Sequence, residues 1–437
     1  MRRVKSAPMT AAPGHAARAA ALRLLHVVLG RRVPLDSAIE NEASLRALES
    51  RDRAFTRLLL ATVLRRLGQI DAALSACLTK PLPRNAETVR NALRLGAAQI
   101  LFLDTPAHAA VATSVALIPG RFGRMKGLAN AVLRRLARDG RSMVAGQDAE
   151  SLNTPAWLWA RWSEFYGADT CREIAQAHLV EPPLDLTVRE SPEAWAERLG
   201  GRVLPTGTVR LMDAGGIAGI PGYDQGAWWI QDAAAALPVK MLGDVAGRTV
   251  IDLCAAPGGK TAQLIAAGAR VIAVDRSAVR LARLRENLAR LNMTAECIAA
   301  DAVQWAPLAP ADVVVLDAPC SATGTIRRHP DIPYGKTADD IGRLAETQTR
   351  LLAAAANMVA PGGLLLYCVC SLEAEEGPRQ VGGFLAAQSA FRLEPAPRLP
   401  DGDEFLTPEG ALRTLPCHWP QWGGLDGFFA ALLRRAA

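Results

Sequence analysis

The sequence of 437 residues lacks the features of a membrane or secreted protein. It has no run of about 18 apolar residues, the length that a helix needs to cross a membrane. Basic residues precede an alanine-rich stretch at the amino terminus, but Arg18, Arg23 and His26 interrupt that stretch, so it is not a secretory signal. We therefore expect a soluble protein.

Cysteine patterns of the usual structural kinds are also missing. The eight cysteines show neither the dense pairing of a disulfide framework nor a Cys/His spacing that binds zinc. We expect no metal site and a reducing, cytoplasmic location. The chain is long enough for two or three domains, each with a core of its own.

The basic residues are concentrated in the first third of the chain. Residues 1–150 contain 24 Lys/Arg against 11 Asp/Glu, a net charge of +13, whereas residues 151–437 contain 26 against 32, a net charge of −6. A basic domain attached to a mildly acidic one is typical of nucleic-acid binding, because phosphate contacts supply affinity that does not depend on sequence. The alternative is an ordinary solvated basic surface.

Apolar residues recur with a helical period through residues 15–140, which predicts an all-helical domain; residues 1–14 are expected to be disordered. In one predicted helix Phe55, Leu59 and Val63 share a face and arginines lie off it. A second basic helix covers residues 127–136. The arginines proposed to contact RNA lie on these two helices: Arg53, Arg57, Arg134 and Arg135.

The rest of the chain changes pattern twice. Residues 141–153, with Gly140 before them, are predicted to be a linker, and residues 154–235 a small α+β subdomain. In residues 236–437 apolar strands alternate with amphipathic helices. This alternation predicts an α/β fold, a Rossmann-like doubly wound parallel sheet.

The turn after the first strand of this sheet indicates a nucleotide-type cofactor. Its Gly-Lys-Thr sequence resembles a phosphate-binding loop, but Cys254 stands where that loop needs glycine, and Pro257 removes an amide donor. The turn therefore suits an adenosyl ligand without phosphates. Asp275, at the end of the second strand, can accept hydrogen bonds from ribose hydroxyls, and Asp301 can accept one from adenine. Together they describe an S-adenosylmethionine pocket, although each acid could be an ordinary loop carboxylate.

Two cysteines stand where apolar strands run into polar turns: Cys320 and Cys370. The carboxyl ends of strands in an open α/β sheet form the ligand crevice, so the two thiols can meet one substrate despite the 50 residues between them. A single cysteine, taken alone, is more often a small buried hydrophobe.

Four motifs carry a resemblance to a known family: CAAPGGK (254–260), DAPCSATG (317–324), YCVCS (367–371) and DGFF (426–429). With these motifs the chain resembles the RNA cytosine-5 methyltransferases, and among them the subgroup that acts on small-subunit (16S) ribosomal RNA. The resemblance covers essentially the whole chain. Residues 16–138 look like the NusB-like RNA-binding domain that this subgroup carries.

The resemblance implies a role for each site residue. Cys370 is the nucleophile and Cys320 the second thiol. Asp317 contributes to the cofactor site and contacts the N3/N4 edge of cytosine. The residues implied for S-adenosylmethionine are Cys254, Ala255, Ala256, Pro257, Gly258, Gly259, Lys260, Asp275, Asp301 and Asp317. Addition of a thiolate to C6 makes C5 nucleophilic enough to take a methyl group, and the second thiol then assists release of the enzyme.

Cys368 and Val369 depart from the family pattern, which has a small residue and threonine before the nucleophile. Cys368 shares a strand face with Cys370 and could be taken for the attacking thiol; Cys370 is nearer the turn and in register with the motif. A Cys-x-Cys metal site would lack further ligands. We expect a helix capped by Ser371 to favour the Cys370 thiolate through its dipole, against three glutamates that follow.

Arg327, Arg328 and His329 form a basic loop just beyond the Cys320 turn, and we expect it to grip phosphates beside the target base. Attack at C6 requires an unstacked cytosine, so the target should be unpaired or in a loop. Two alternatives stay open: a transfer RNA or another ribosomal site as substrate, and a non-catalytic RNA-binding assembly factor that keeps the fold.

Overall fold

The computed structural model describes residues 14–212, 215–398 and 402–437 and divides the chain into two compact units. The first unit contains the chain up to Ala160 together with His329–Lys336; the second contains Arg161–Arg328 and Thr337–Ala437. The segment predicted to be disordered lies, apart from Gly14, outside the described residues. Among the described helices, none is both long enough and apolar enough to span a membrane.

The first unit is helical, as the apolar period predicts. Its helices are α1 (His15–Arg31), α2 (Leu35–Asn41), α3 (Ala43–Arg46), α4 (Ser50–Arg65), α5 (Leu67–Cys77), α6 (Glu87–Leu101), α7 (Ala107–Ala116), α8 (Lys126–Ala145) and α9 (Ala149–Asn153). Helix α6 packs against α1, α4, α5, α7 and α8, so it forms the centre of the core. Gly96 allows the close approach of α8: a Cβ there would lie 2.8 Å from the Leu133 side chain.

The prediction that residues 141–153 form a linker is wrong, because most of the segment is helical. Helix α8 continues to Ala145, and Asp148 starts α9 by accepting a hydrogen bond from the Ser151 amide. The segment is also packed against α5: the Asn153 amide donates to Gln69 Oε1 (3.0 Å), and the Gln69 amide donates to Asn153 Oδ1 (3.2 Å). The polar residues that suggested a linker are a helix cap and a buried amide pair.

The region predicted as a small subdomain, residues 154–235, starts with a helix that spans the boundary between the two units, α10 (Ala156–Tyr166). Its other elements lie in the second unit: α11 (Ala168–His178), β1 (Leu184–Val188), α12 (Pro192–Leu199), β2 (Arg202–Val203), β3 (Val209–Leu211) and β4 (Trp228–Ile230). The four strands form an antiparallel sheet in the order β2-β3-β1-β4. Its core contains the buried side chains of Leu186, Val209 and Trp228.

The larger part of this unit is a mixed sheet covered by helices. The elements are α13 (Ala233–Lys240), β5 (Thr249–Leu253), α14 (Gly259–Ala266), β6 (Arg270–Asp275), α15 (Ala278–Arg290), β7 (Glu296–Ala299), β8 (Ala311–Asp317), α16 (Ile332–Gly335), α17 (Ala338–Met358), β9 (Val359–Val369), α18 (Pro378–Ala387), β10 (Phe391–Glu394), β11 (Leu412–Thr414) and β12 (Phe428–Arg435). Helix α16 lies in the segment assigned to the first unit.

The strand order β10-β12-β9-β8-β5-β6-β7 places the functional motifs. Strands β5 to β9 are parallel, and β12 and β10 pair antiparallel at one side. From β5 the chain winds to β6 and β7 on one side, then to β8 and β9 on the other. The switch point between β5 and β8 is where ligands bind in such sheets.

Candidate active site

The structure brings the two predicted catalytic cysteines into contact. Strands β8 and β9 are parallel neighbours with Asp317 opposite Cys368, so the turns that follow them leave the sheet side by side. The Sγ atoms of Cys320 and Cys370 are 3.5 Å apart, and both cysteines are free and partly exposed. The Gly324 amide also donates to the Cys370 carbonyl (3.1 Å). The two thiols therefore lie in one site at the carboxyl ends of β8 and β9.

The environment of Cys370 differs from the sequence prediction. No helix starts at Ser371; residues 371–373 have no regular secondary structure, residues 374–377 form a turn, and α18 begins at Pro378. The Ser371 hydroxyl instead accepts a hydrogen bond from the Glu373 amide (3.0 Å) within a turn. The expected helix dipole is therefore absent. A serine hydroxyl that accepts from the amide two residues later occurs in turns as well as in helix caps, so the sequence pattern did not distinguish the two.

Two of the three glutamates that follow Cys370 are neutralised by helix α10. Arg161 pairs with Glu373 (2.7 Å) and Glu375 (2.6 Å), and the Trp162 indole donates to Glu373 Oε1 (2.9 Å). The Tyr166 hydroxyl donates to the Leu372 carbonyl (2.6 Å). No local sequence pattern indicates that this helix holds the turn after Cys370, since the partners lie more than 200 residues apart in the chain.

The pKa of Cys320 is raised well above its ordinary value by its hydrogen bond with Cys370 and by burial. Burial likewise raises the pKa of Cys368, more than Lys260 lowers it. Both residues are consequently neutral thiols at neutral pH, and each can donate a hydrogen bond. Cys368 is fully buried, as befits a residue within β9 rather than beyond its end.

Asp317 is fixed by residues from two other motifs. Lys260 Nζ lies 2.8 Å from Asp317 Oδ2, and the Cys368 thiol donates to Oδ1 at 3.6 Å. The ammonium of Lys260 also lies over the Phe428 ring, 4.8 Å from its centre. Burial alone would lower the pKa of Lys260, but Asp317 and the neighbouring thiols outweigh burial and raise it. The ammonium therefore stays charged and orients the carboxylate.

The turn from β5 to α14 has the backbone that the cofactor prediction needs. Cys254 and Gly258 have positive φ angles of 58° and 107°, and a Cβ at Gly258 would lie 3.0 Å from the Leu284 side chain. The next turn holds Asp275, which is 2% exposed and accepts hydrogen bonds from the amides of Ala256 (3.3 Å) and Ser277 (2.9 Å).

The residues present fit S-adenosylmethionine. The turn lets a ligand approach the backbone without offering a phosphate cradle, and the Asp275 carboxylate keeps acceptor capacity for ribose hydroxyls. Arg280, which is 54% exposed, lies 3.3 Å from Asp275 and donates to the Ala256 carbonyl. Asp301 is exposed and accepts from the Val303 amide (2.9 Å). Asp252, beneath the turn, is fully buried, and burial raises its pKa to about 7.

The prediction that Arg327 and Arg328 grip RNA phosphates is wrong. The Arg327 side chain is 2% exposed and pairs with Asp426 (2.8 Å) and Asp232 (3.2 Å). Arg328 pairs with the same two carboxylates, at 2.9 and 2.5 Å. The two arginines and the two aspartates therefore neutralise each other inside the protein, and the arginine charges are not directed at an RNA phosphate.

His329 belongs to the first unit and is still 44% exposed, but its Nδ1 lies 3.3 Å from Asp36. Its hydrogen bond lowers the pKa of Asp36. Gln231 is 6% exposed, and its side chain is hydrogen-bonded to Thr187, the Trp229 indole and Gln263.

The four arginines predicted on the helical domain are all exposed, two on α4 and two on α8. Arg53 donates to the carbonyl of Leu48, just before helix α4 (2.5 Å), and Arg135 lies 3.9 Å from Asp139. The remaining two predicted arginines are Arg57 and Arg134. All four stay predictions for RNA contact.

Comparison with known proteins assigns both parts of the chain. Residues 239–434 match the family described as 16S rRNA methyltransferase RsmB/F, and residues 15–138 match the NusB family. The chain is 35% identical to the ribosomal RNA small subunit methyltransferase B of Vibrio cholerae over 96% of this chain and 97% of that protein. It is 36% identical to the protein of the same name from Xanthomonas campestris, over 98% and 99%.

Solved structures agree on the fold. The match to the crystal structure of PH0851 includes 98% of this chain and 100% of that chain, with a TM-score of 0.72 at 23% sequence identity. A methyltransferase homologue from Pyrococcus horikoshii, 27% identical, covers 63% of this chain with a TM-score of 0.53, and 93% of it is matched. The predicted Rossmann-like domain, the NusB-like domain and the S-adenosylmethionine cofactor are confirmed at the level of the family. The chain belongs to the RsmB/F family of 16S rRNA methyltransferases.

Proposed function

We propose that the protein methylates C5 of an unpaired cytosine in 16S ribosomal RNA, using S-adenosylmethionine and a covalent bond between Cys370 and C6. The observation that carries this proposal is the 3.5 Å contact between the Cys320 and Cys370 sulfurs beside the cofactor turn. The names of the relatives support the ribosomal substrate. A single thiol would serve attack alone, whereas C5 methylation also needs assistance to release the enzyme.

The resting thiol pair is suited to attack by Cys370. Because the pKa of Cys320 is raised by its hydrogen bond with Cys370 and by burial, Cys320 is a neutral thiol that can donate to the Cys370 sulfur. A thiolate at Cys370 adds to C6 of the cytosine. Asp317, held by Lys260, can accept a hydrogen bond from the N4 amino group and fix the base. When bound, S-adenosylmethionine supplies an electrophilic methyl group at C5.

Bond formation at Cys370 also prepares Cys320 for the second half of the reaction. The hydrogen bond and charge of Cys370, which hold the pKa of Cys320 high, are lost once Cys370 is bonded to carbon. The pKa of Cys320 then falls, and its proton can pass to solvent. The resulting thiolate takes the proton from C5, the C6–S bond breaks, and Cys370 leaves as a thiolate.

The proposal is tested with unmodified 16S RNA, with transfer RNA as the alternative substrate. Cys370→Ala should abolish methyl transfer to 16S RNA, and the matched control Cys77→Ala should keep it, because Cys77 lies in α5 of the first unit, outside the residues implied for catalysis. The product should be 5-methylcytosine at one position by nucleoside mass spectrometry. Methylation of transfer RNA only, methylation elsewhere on the base, or no transfer by the wild-type protein would contradict the proposal.

A further inference from the structure

Glu376 lies fully buried between the two cysteine turns. Its Oε1 accepts hydrogen bonds from the Ser321 amide (2.9 Å) and the Gln348 side chain (3.0 Å). Its Oε2 accepts from the Ser371 hydroxyl (2.5 Å) and from the Ser321 hydroxyl. All four donors are neutral groups, so this carboxyl group is held by hydrogen bonds.

The donors are the residues that follow the two thiols. Ser321 comes directly after Cys320, and Ser371 directly after Cys370. Gln348 of α17 joins the same network from the other side of the Cys320 turn, since it also donates to the Pro319 carbonyl (3.0 Å). One carboxyl group is thereby bonded to both turns.

The backbone of Glu376 is itself anchored to the sheet. Its carbonyl accepts a hydrogen bond from the Tyr367 hydroxyl (2.6 Å), and Tyr367 is a fully buried residue of β9. A rigid strand therefore positions the carboxyl group, and the carboxyl group positions the turns. Such support from neighbouring side chains decides how closely a catalytic pair is held.

We propose that Glu376 is a positioning residue that sets the separation between the Cys320 and Cys370 sulfur atoms without touching the substrate. The inference rests on the proposed function for the roles of the two thiols. Loss of the Glu376 bonds leaves buried donors unsatisfied and frees the turns to separate. A displacement of about 1 Å at reacting groups can cost about 100-fold in rate.

Glutamine should replace Glu376 with little loss. Its carbonyl can keep the bonds from the Ser321 amide and Gln348, and its NH₂ group can donate to the two serine hydroxyls, which rotate to accept. Burial raises the pKa of Glu376, which agrees with a site that does not depend on a negative charge. Alanine keeps none of the four bonds. Glu376→Gln and Glu376→Ala therefore separate a hydrogen-bonding role from a proton-transfer role.

The first readout measures the sulfur separation and requires no RNA. The azo oxidant diamide takes two electrons and two protons from a pair of thiols and becomes a hydrazine as the S–S bond forms. Peptide mass spectrometry then measures how fast Cys320 joins Cys370. We expect equal rates for wild type, Glu376→Gln and the control Glu394→Gln, because Glu394 lies on the edge strand β10 and its partners are arginines outside the two cysteine turns. Glu376→Ala should react at least about tenfold more slowly.

The second readout is methyl transfer by the same variants. We expect Glu376→Gln to stay within about threefold of wild type in kcat, and Glu376→Ala to lose about 100-fold in kcat with KM for the cofactor unchanged. Ser371→Ala removes the bond between Glu376 and the turn after Cys370, together with the bond from the Glu373 amide. This variant should be intermediate in both readouts, and it replaces Glu376→Ala if that variant does not fold.

The outcomes distinguish the two proposals. If wild type transfers no methyl group to C5, the proposed function fails, whereas the disulfide rates still test the positioning. If folded Glu376→Ala and Ser371→Ala form the disulfide at the wild-type rate, the positioning is contradicted. If Glu376→Gln is as inactive as Glu376→Ala while its disulfide forms normally, Glu376 transfers a proton and the proposal is wrong.

Discussion

Replacing Arg327 with alanine should destabilise the second unit and leave RNA affinity unchanged. The Arg327 guanidinium is 2% exposed and bonded to Asp426 and Asp232, each 4% exposed. Solvent therefore screens these pairs little. Removing one partner of a buried ion pair costs about 3–5 kcal/mol, because it leaves a buried charge uncompensated.

The structure places the cost of this substitution at the lower end of that range. Arg328 still pairs with both Asp426 and Asp232 in the variant, at 2.9 and 2.5 Å, so neither carboxylate is left alone. A loss of about 3 kcal/mol in a domain of this size corresponds to a fall in Tm of roughly 6–12 °C.

Thermal unfolding, followed by circular dichroism, measures the loss of stability. Filter retention measures RNA affinity. Both are recorded over a range of salt concentrations. Arg134→Ala, at an exposed position of α8, is the matched control and should show the reverse: an unchanged Tm and weaker RNA binding. Two results together would refute this reasoning. Arg327→Ala would keep its Tm within about 1 °C of wild type, and it would weaken RNA binding while reducing the slope of log affinity against log salt by about one, the loss of one phosphate contact.

Three further predictions concern the thiol pair, the helical domain and the buried Asp252. Cys320→Ala should slow release of methylated RNA by about 100-fold or more, so that a covalent protein–RNA band accumulates on a denaturing gel; normal turnover without that band contradicts the role of Cys320. Arg134→Ala and Arg135→Ala should each reduce the slope of log affinity against log salt by about one, and slopes equal to wild type would exclude these residues from the RNA interface. Because burial raises the pKa of Asp252 to about 7, wild type should lose stability as pH rises from about 4 to about 7. Asp252→Asn should therefore unfold at a higher temperature than wild type at pH 8 but not at pH 4, and an equal difference at both values would contradict the assignment.

The positions of Cys320 and Cys370 could be predicted because they follow from strand order. Apolar strands ending at Asp317 and Val369 in a parallel sheet must release their turns at the same edge, and Cys320 and Cys370 occupy those turns. The cofactor turn could be predicted for the same reason. Each inference needed only local sequence and the handedness of α/β connections.

Interactions between distant segments could not be predicted. Arg327 resembled a phosphate-binding residue because its partners, Asp232 and Asp426, are more than 90 residues away in sequence. Glu376 was identified only as an opposing charge near the nucleophile, since nothing local shows that Ser321 donates to it. Burial of a polar residue depends on which segments meet, and a single sequence does not specify that.

Trapping the enzyme on RNA that contains 5-fluorocytosine tests the central claim most directly. Fluorine replaces the C5 hydrogen, so no proton can be removed after methyl transfer and the protein stays bonded to C6. Digestion and mass spectrometry then identify the attached residue. The account predicts a single adduct at Cys370. An adduct at Cys320 or Cys368, or methylation of ordinary RNA with no adduct on the fluorinated RNA, would contradict it.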